Sequence, residues 1–267
     1  MNDSTTYTLI TGGSEGIGYE LARQFALNGH NLVLVARDEM QLRDAMQNLE
    51  SANVKVLIIA KDLFEPEAPF ELFQELADNN IVVDILVNNA GQGVYGLFEE
   101  TDIRRELAII QLNIAALTVL TKLFIQDMLV RGRGRILNTS SIASKTPGPW
   151  QSVYHGTKAY VQSFSEAVRS EVKDRGITIT TLLPGATDTD FFNKADMEES
   201  KIAQDKDKLS DPADVARDGY EALMRGDDKV VSGFKNKVTV AMSNMMTDSA
   251  AADMMKKQQE PVHPNNK

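Results

Sequence analysis

Tyr154 and Lys158 stand four residues apart, in a segment that continues with apolar residues at helical spacing. At 3.6 residues per turn the two side chains fall on one helix face. An ammonium beside a phenol favours the phenolate, so this spacing predicts a tyrosine that acts as acid or base nearer neutral pH. Ser141 precedes Tyr154 by thirteen residues, just past an apolar run from Arg135 to Thr139. A hydroxyl there can donate a hydrogen bond to a substrate oxygen. Taken alone, a Tyr-x-x-x-Lys pair is a common surface coincidence, and its weight depends on what surrounds it.

The surroundings form an alternating pattern. Tyr7 to Ile10 predicts a strand that runs into Thr11-Gly-Gly-Ser-Glu-Gly-Ile-Gly18 and then into a helix marked by Ile17, Leu21, Phe25 and Leu27. Glycines between a strand and a helix allow a tight turn and a close backbone approach to a pyrophosphate, with the N–H groups of the helix start facing its charge. The spacing, Gly12-x-x-x-Gly16-x-Gly18, is not the G-x-G-x-x-G of long-chain dehydrogenases. Asn31 to Ala36 is continuous and apolar, as a buried parallel strand should be. Its end carries Arg37 where an acidic residue would meet a bare ribose hydroxyl. A guanidinium suits a 2′-phosphate, so Arg37 favours NADP(H) over NAD(H), unless Asp38 pairs with it instead of capping the next helix.

Further strands are expected at Val54 to Ala60, Asp84 to Val87, Ile177 to Leu183 and Lys229 to Ser232, with Arg135 to Thr139 between them. Helices are expected over Asp38 to Glu50, Pro66 to Asn79, Asp102 to Arg131, Gln151 to Arg175 and Asp211 to Arg225. Short links between them make an α/β chain: a single-domain, Rossmann-type, doubly wound parallel sheet of about seven strands, with helices on both faces. The domain is read as 1–259 with a substrate lid at about 188–210, in which charged Lys194 to Lys208 is expected to be a mobile helix with a solvated face and Phe191 and Phe192 its pocket-facing part, and 260–267 is expected to be disordered. In open parallel sheets ligands bind at the carboxyl ends of the strands. The glycine turn, Arg37, Asp62, Asn88-Asn-Ala-Gly91 and Ser141 all belong to that edge.

The chain has 267 residues and no cysteine, which excludes disulfides, thiolate metal sites and cysteine nucleophiles. Its net charge of −10 argues against a nucleic-acid partner. Polar Met1 to Tyr7 lacks a signal-peptide core, and Leu107 to Val130 is interrupted by Gln111, Asn113, Lys122, Gln126 and Asp127, so no membrane span is expected and the protein is placed in the cytoplasm. The wide apolar stripes of the Asp102 and Gln151 helices suggest a subunit interface, with packing inside the chain as an equal alternative. The five methionines between Phe234 and Met255 are read as adaptable core, with a pocket wall or partner contact as the alternative. Gln92 to Phe98, Ile142 to Trp150 and Ala186 to Met197 are expected to line the substrate pocket. Among them Pro147, Trp150, Phe191 and Phe192 point to an apolar substrate of moderate size.

From about Thr8 to Val231 these residues resemble the short-chain dehydrogenase/reductase family in its compact single-domain branch. The resemblance rests on Thr11-Gly-x-x-x-Gly-Ile-Gly18, Asp62, Asn88-Asn-Ala-Gly91, Asn113, Ser141, Tyr154-x-x-x-Lys158 and Pro184-Gly185 in family order and spacing. It implies a catalytic set of Asn113, Ser141, Tyr154 and Lys158. Tyr154 would be the general acid or base, and Lys158 would lower its pKa and hold the nicotinamide ribose. Ser141 would polarise the carbonyl, and Asn113 would anchor a water on a proton path. It also implies that Gly12, Ser14, Glu15, Gly16, Ile17, Gly18, Arg37, Asp62, Leu63, Asn89, Ala90, Gly91, Tyr154, Lys158, Pro184, Gly185, Thr187 and Thr189 hold an NADP dinucleotide, with no metal. The expected reaction is hydride transfer between NADP(H) and a carbonyl or secondary alcohol, a small-molecule substrate, and the resemblance implies a homodimer or homotetramer built on the two long helices. Two departures stand out: Glu15 occupies a position that is basic in many NADP-preferring relatives, and Ser144 replaces a frequent glycine, beside charged Lys145. A dinucleotide-binding sensor with little catalysis is the alternative from another class, disfavoured by the intact Ser-Tyr-Lys-Asn set. Sugar-nucleotide epimerisation is disfavoured because too few residues follow the sixth strand.

Overall fold

The computed structural model describes residues 6–49, 52–243 and 245–262. Seven strands form one parallel sheet: β1 (Thr6–Thr11), β2 (Asn31–Ala36), β3 (Val56–Ala60), β4 (Val82–Asn88), β5 (Gly134–Thr139), β6 (Ile177–Leu183) and β7 (Lys229–Val231). Their spatial order is β3-β2-β1-β4-β5-β6-β7. The order reverses between β1 and β4, so a crevice opens beyond the carboxyl ends of those two strands.

The period of two along each strand assigns side chains to two cores. On one face Leu9, Val33, Val35, Leu86 and Ile136 pack under α3 (Ala68–Asp78), the long helix after β4, and α6 (Ser152–Val172). On the other, Ile10, Leu32, Leu34, Val87, Leu137 and Leu182 pack under α1 (Gly16–Leu27), α2 (Glu39–Leu49) and α9 (Pro212–Arg225). Both faces of β2 are covered, which is why Asn-Leu-Val-Leu-Val-Ala reads as a continuous apolar run without alternation.

Several expected elements differ in detail. The third helix opens at Ala68, with Pro69 rather than Pro66 in its first turn. The expected single helix from Asp102 to Arg131 is α4 (Ile103–Ile110), a π turn (Gln111–Ala116) and α5 (Leu117–Arg131). Asp102 caps α4 by accepting from the Arg104 amide, and Gly132 ends α5 in the left-handed conformation. By length and composition the run Ile103–Arg131 resembles a membrane-crossing helix, but half of its most apolar window is buried within this chain. The expected lid helix is instead two short helices, α7 (Phe191–Lys194) and α8 (Lys201–Gln204), joined by a turn with Asp196 at φ 56°. Ala195, Met197 and Ser200 are buried in that turn, so the segment is anchored and is not a solvated rod.

The C-terminal region forms α10 (Phe234–Ser243) and α11 (Asp248–Gln259). None of Met242, Met245, Met246, Met254 and Met255 is fully buried, which overturns the core reading of the methionines. The expected disordered tail is also corrected in its first part. The Val262 amide donates to the Glu199 carbonyl at 2.9 Å, Pro261 bridges to Ser200, and Glu260 pairs with Lys201. Residues 263–267 lie outside the described residues.

Candidate active site

A cavity of about 720 Å³ occupies the crevice at the carboxyl ends of the strands. It runs from the glycine turn, past Arg37 and Asp62, to Tyr154 and then to the C-terminal helices. At the glycine end the chain closes tightly on itself. A Cβ on Gly18 would stand 1.9 Å from the Gly12 carbonyl oxygen, so only glycine fits there. Thr11 and Asn89 brace this turn. The Thr11 hydroxyl accepts from the Asn89 and Ala90 amides at 3.0 and 3.1 Å, and Asn89 Nδ2 donates to the Thr11 and Gly12 carbonyls. Among the described residues no side chain caps the N-terminus of α1, and its first turn holds no acidic residue. Free amides facing a cavity at a helix start suit an anionic group, so this end fits the diphosphate of a dinucleotide.

Arg37 is exposed, makes no ion pair among the described residues, and lies 4.9 Å over the Phe64 ring. The competing possibility, pairing with Asp38, does not occur. Asp38 caps α2 by accepting from the Met40 and Gln41 amides. Asp62 closes its own turn through the Phe64 amide at 3.0 Å. Glu15, the acidic departure in the turn, pairs with Lys194 of α7, which also lies 3.4 Å from Asp190. The carboxylate is thereby offset by a lid residue that no local sequence signal connects to it.

The expected catalytic residues come together deeper in. Tyr154 and Lys158 occupy one face of α6, with Lys158 Nζ 5.8 Å from the Tyr154 ring centroid. The ammonium donates to the Thr139 carbonyl at 2.9 Å, which ties α6 to the end of β5. Ser141 stands two residues past the end of β5, accepts from the Ala143 amide at 3.1 Å, lies 3.3 Å from the Pro184 carbonyl and hydrogen-bonds Tyr154. Ser144, the second departure, does not line the cavity; its hydroxyl lies 2.6 Å from both the Ser141 carbonyl and Gln162 Oε1 and donates its one proton to one or the other. Asn113 sits in the π turn, behind the cavity wall. Its amide exchanges hydrogen bonds with the Gln92 backbone at 2.9 and 3.0 Å and donates to Thr157 at 3.0 Å. The π turn was invisible as a pattern, because one extra residue in a long apolar helix hardly changes its periodicity.

The electrostatics correct one expectation. Burial pushes Tyr154 up to about 12, opposed by its hydrogen bond to Ser141, and the same burial pushes Lys158 down to about 8. Shared helix face alone does not lower the phenol's pKa. Burial penalises the charged form of each group and is the largest cause of both shifts.

Every residue expected to hold the dinucleotide lines the cavity. The substrate end agrees with expectation only in part. Gln92, Ile142, Ala143, Thr146, Ala186, Phe191, Phe192 and Met197 line it, and Phe191 packs on Tyr154 with ring centroids 5.2 Å apart. Pro147 and Trp150 do not. Trp150, held at φ 72°, stacks on Tyr95 with centroids 5.6 Å apart. Gln151 and His155, which flank Tyr154, do line the cavity, as do Ile202, Val240, Met254, Met255 and Gln259. His155 is buried against Gly148, where a Cβ would meet its ring at 2.1 Å. The signal for these residues was present in the paired methionines and glutamines at the end of α11, but core packing explained the same spacing.

Known proteins agree with this architecture. The NADPH complex of a short-chain dehydrogenase from Sphingobium yanoikuyae superposes with a TM-score of 0.81 at 27% identity, covering 98% of this chain and 99% of that one. The ketoacyl reductase HetN of Nostoc sp. is 28% identical over 239 residues, 89% of this chain and 82% of that protein. The very-long-chain 3-oxoacyl-CoA reductase of Rattus norvegicus is 32% identical over 184 residues, 67% of this chain; the match spans only 58% of the rat protein. A family model described as short chain dehydrogenase matches residues 6–200, from β1 through the turn before α8. The chain therefore belongs to the short-chain dehydrogenase/reductase family and is an oxidoreductase of that family.

Proposed function

We propose that this enzyme transfers a hydride between NADP(H) and a ketone or secondary alcohol, with Tyr154 as the group that exchanges the proton. The observation that carries this reading is the meeting of Tyr154, Ser141 and Lys158 at the inner end of a cavity whose outer end is an uncapped helix start with a free arginine. The dinucleotide, when bound, supplies or accepts the hydride. The chain's own residues do the rest. The glycine turn and the start of α1 hold the diphosphate, Arg37 holds a 2′-phosphate, and Lys158 holds the nicotinamide ribose. Ser141 orients the substrate oxygen, and Tyr154 donates the proton in reduction or takes it in oxidation. Asn113 keeps the Gln92 backbone and Thr157 in register behind Lys158 and anchors the water of a proton path. The NADPH complex of the Sphingobium relative and the oxoacyl substrates named for the Nostoc and rat enzymes support this cofactor and a ketone electrophile. The exposed side chains of Ile103, Leu107 and Tyr160 on α4 and α6 support self-association through these helices.

Arg37 decides the cofactor. Its guanidinium has no acidic partner among the described residues and is stacked on Phe64, so its donors remain open to a phosphate. Arg37→Ala is expected to weaken NADPH binding about 10- to 100-fold, as the loss of a charge-assisted contact of about 1.5–3 kcal/mol implies, with little change for NADH. Titration of both nucleotides by protein fluorescence checks this. Equal losses for the two would remove the case for NADP.

A further inference from the structure

The match to the family model ends at residue 200, but the cavity does not. Its far wall is made by Ile202, Val240, Met254, Met255 and Gln259, contributed by α8, α10 and α11. The charged lining lies elsewhere, at the glycine turn, around Arg37 and Asp62, at Lys158, and at Asp190 and Lys194. The wall built by α11 is uncharged, and two of its side chains are methionines, whose three rotatable bonds adapt to a ligand's shape.

Gln259, at the end of α11, is buried against the start of the catalytic helix. His155 Nδ1 meets the Thr146 carbonyl at 2.8 Å, and a carbonyl only accepts, so Nδ1 carries the proton. In the neutral ring Nε2 is then an acceptor, and burial lowers the His155 pKa, which favours that neutral ring. Gln259 Nε2 donates to it at 3.0 Å and approaches Gln151 Oε1 at 3.4 Å. The Tyr95 hydroxyl donates to the Gln259 carbonyl at 2.5 Å, and Tyr95 carries the stacked Trp150. Gln259 Oε1 and Gln151 Nε2 are left buried with no partner among the described residues.

We infer that α11 is the specificity-determining wall of this active site. Met254 and Met255 take up the uncharged, extended apolar part of a carbonyl substrate, and Gln259 is the positioning residue that latches the wall to His155. This rests on the oxidoreductase reading above and adds the substrate class to it. The apolar part would run from Tyr154 past Phe191 to α11, and its length would be read by the two methionines.

The test uses the full chain with butanone and methyl nonyl ketone as probes. In a Met254→Ala/Met255→Ala variant, the ratio of kcat/KM for the long ketone over the short one is expected to fall about tenfold or more, the scale set by lost methylene contacts. In Gln259→Leu, the KM of the long ketone is expected to rise several-fold more than its kcat changes, and the emission of Trp150 should shift as α11 loosens. A ratio that stays the same in the double variant overturns the inference. Calorimetric binding of methyl nonyl ketone to the NADPH-saturated protein separates the two readings. Weaker binding to the double variant, in an enzyme that turns over neither ketone, supports the wall and sinks the proposed reaction alone. Equal binding to both proteins, or binding to neither, overturns the wall.

Discussion

Tyr154→Phe is expected to lower kcat for ketone reduction by about 10²–10⁴-fold, the usual contribution of a positioned general acid, with NADPH binding retained. The change removes one oxygen and leaves the ring. The packing of that ring on Phe191, at 5.2 Å, and over Lys158 Nζ, at 5.8 Å, survives in phenylalanine. The fold should therefore persist, and the glycine turn, at the other end of the cavity, is untouched. What disappears is the proton donor and the partner of Ser141. Single-turnover hydride transfer and NADPH titration check the two halves separately, and full activity in the variant would refute the mechanism. The direction of the pKa shifts adds a pH signature. With Tyr154 pushed up to about 12, the phenol keeps its proton across the neutral range and is poised as an acid. Reduction is expected to hold at neutral pH and to decline as pH rises through about 8, where Lys158 loses the charge that stabilises the departing phenolate. Alcohol oxidation, which needs the phenol deprotonated, should rise with pH instead.

Lys158→Met should abolish turnover and at the same time stabilise the nucleotide-free fold. Burial lowers the lysine from 10.5 in the unfolded chain to about 8 in the folded one. Below pH 8 both states carry the ammonium, and the desolvation cost is fully present. Between 8 and 10.5 the folded lysine releases its proton first and the cost shrinks, and above 10.5 both states are neutral and it is gone. A shift of this size corresponds to about 3 kcal/mol, reduced by the lost hydrogen bond to Thr139, so a net gain of about 1–3 kcal/mol is expected at neutral pH. Methionine is unbranched and fills similar space. For a domain of this size the gain amounts to a rise in Tm of roughly 2–10 °C, measured by calorimetry without nucleotide. The rise should fade as pH increases through the same window. A lower Tm at neutral pH would mean that the hydrogen bond to Thr139 outweighs the buried charge. A functional group that destabilises its own fold is the familiar exchange of stability for activity.

The amino-acid sequence by itself determined the sheet, the glycine turn and the catalytic helix. Each of these is local. Asn31–Ala36 and Ile177–Leu183 agree residue for residue with the expected strands, because buried parallel strands need unbroken apolar runs and little else produces them. Tyr154 and Lys158 share a helix face by spacing alone, and topology then carries Ser141 and Arg37 to the same sheet edge. The tertiary structure decided what depends on contacts between distant segments. The pairing of Glu15 with Lys194, the turn of Trp150 onto Tyr95, and the latch between Gln259 and His155 each join residues that no periodicity relates. Methionines spaced for a core became a wall because α11 has the cavity, and not another element, on one side. The proton affinities of Tyr154 and Lys158 were decided in the same way, since desolvation measures everything packed around a group and spacing reports only its nearest neighbours.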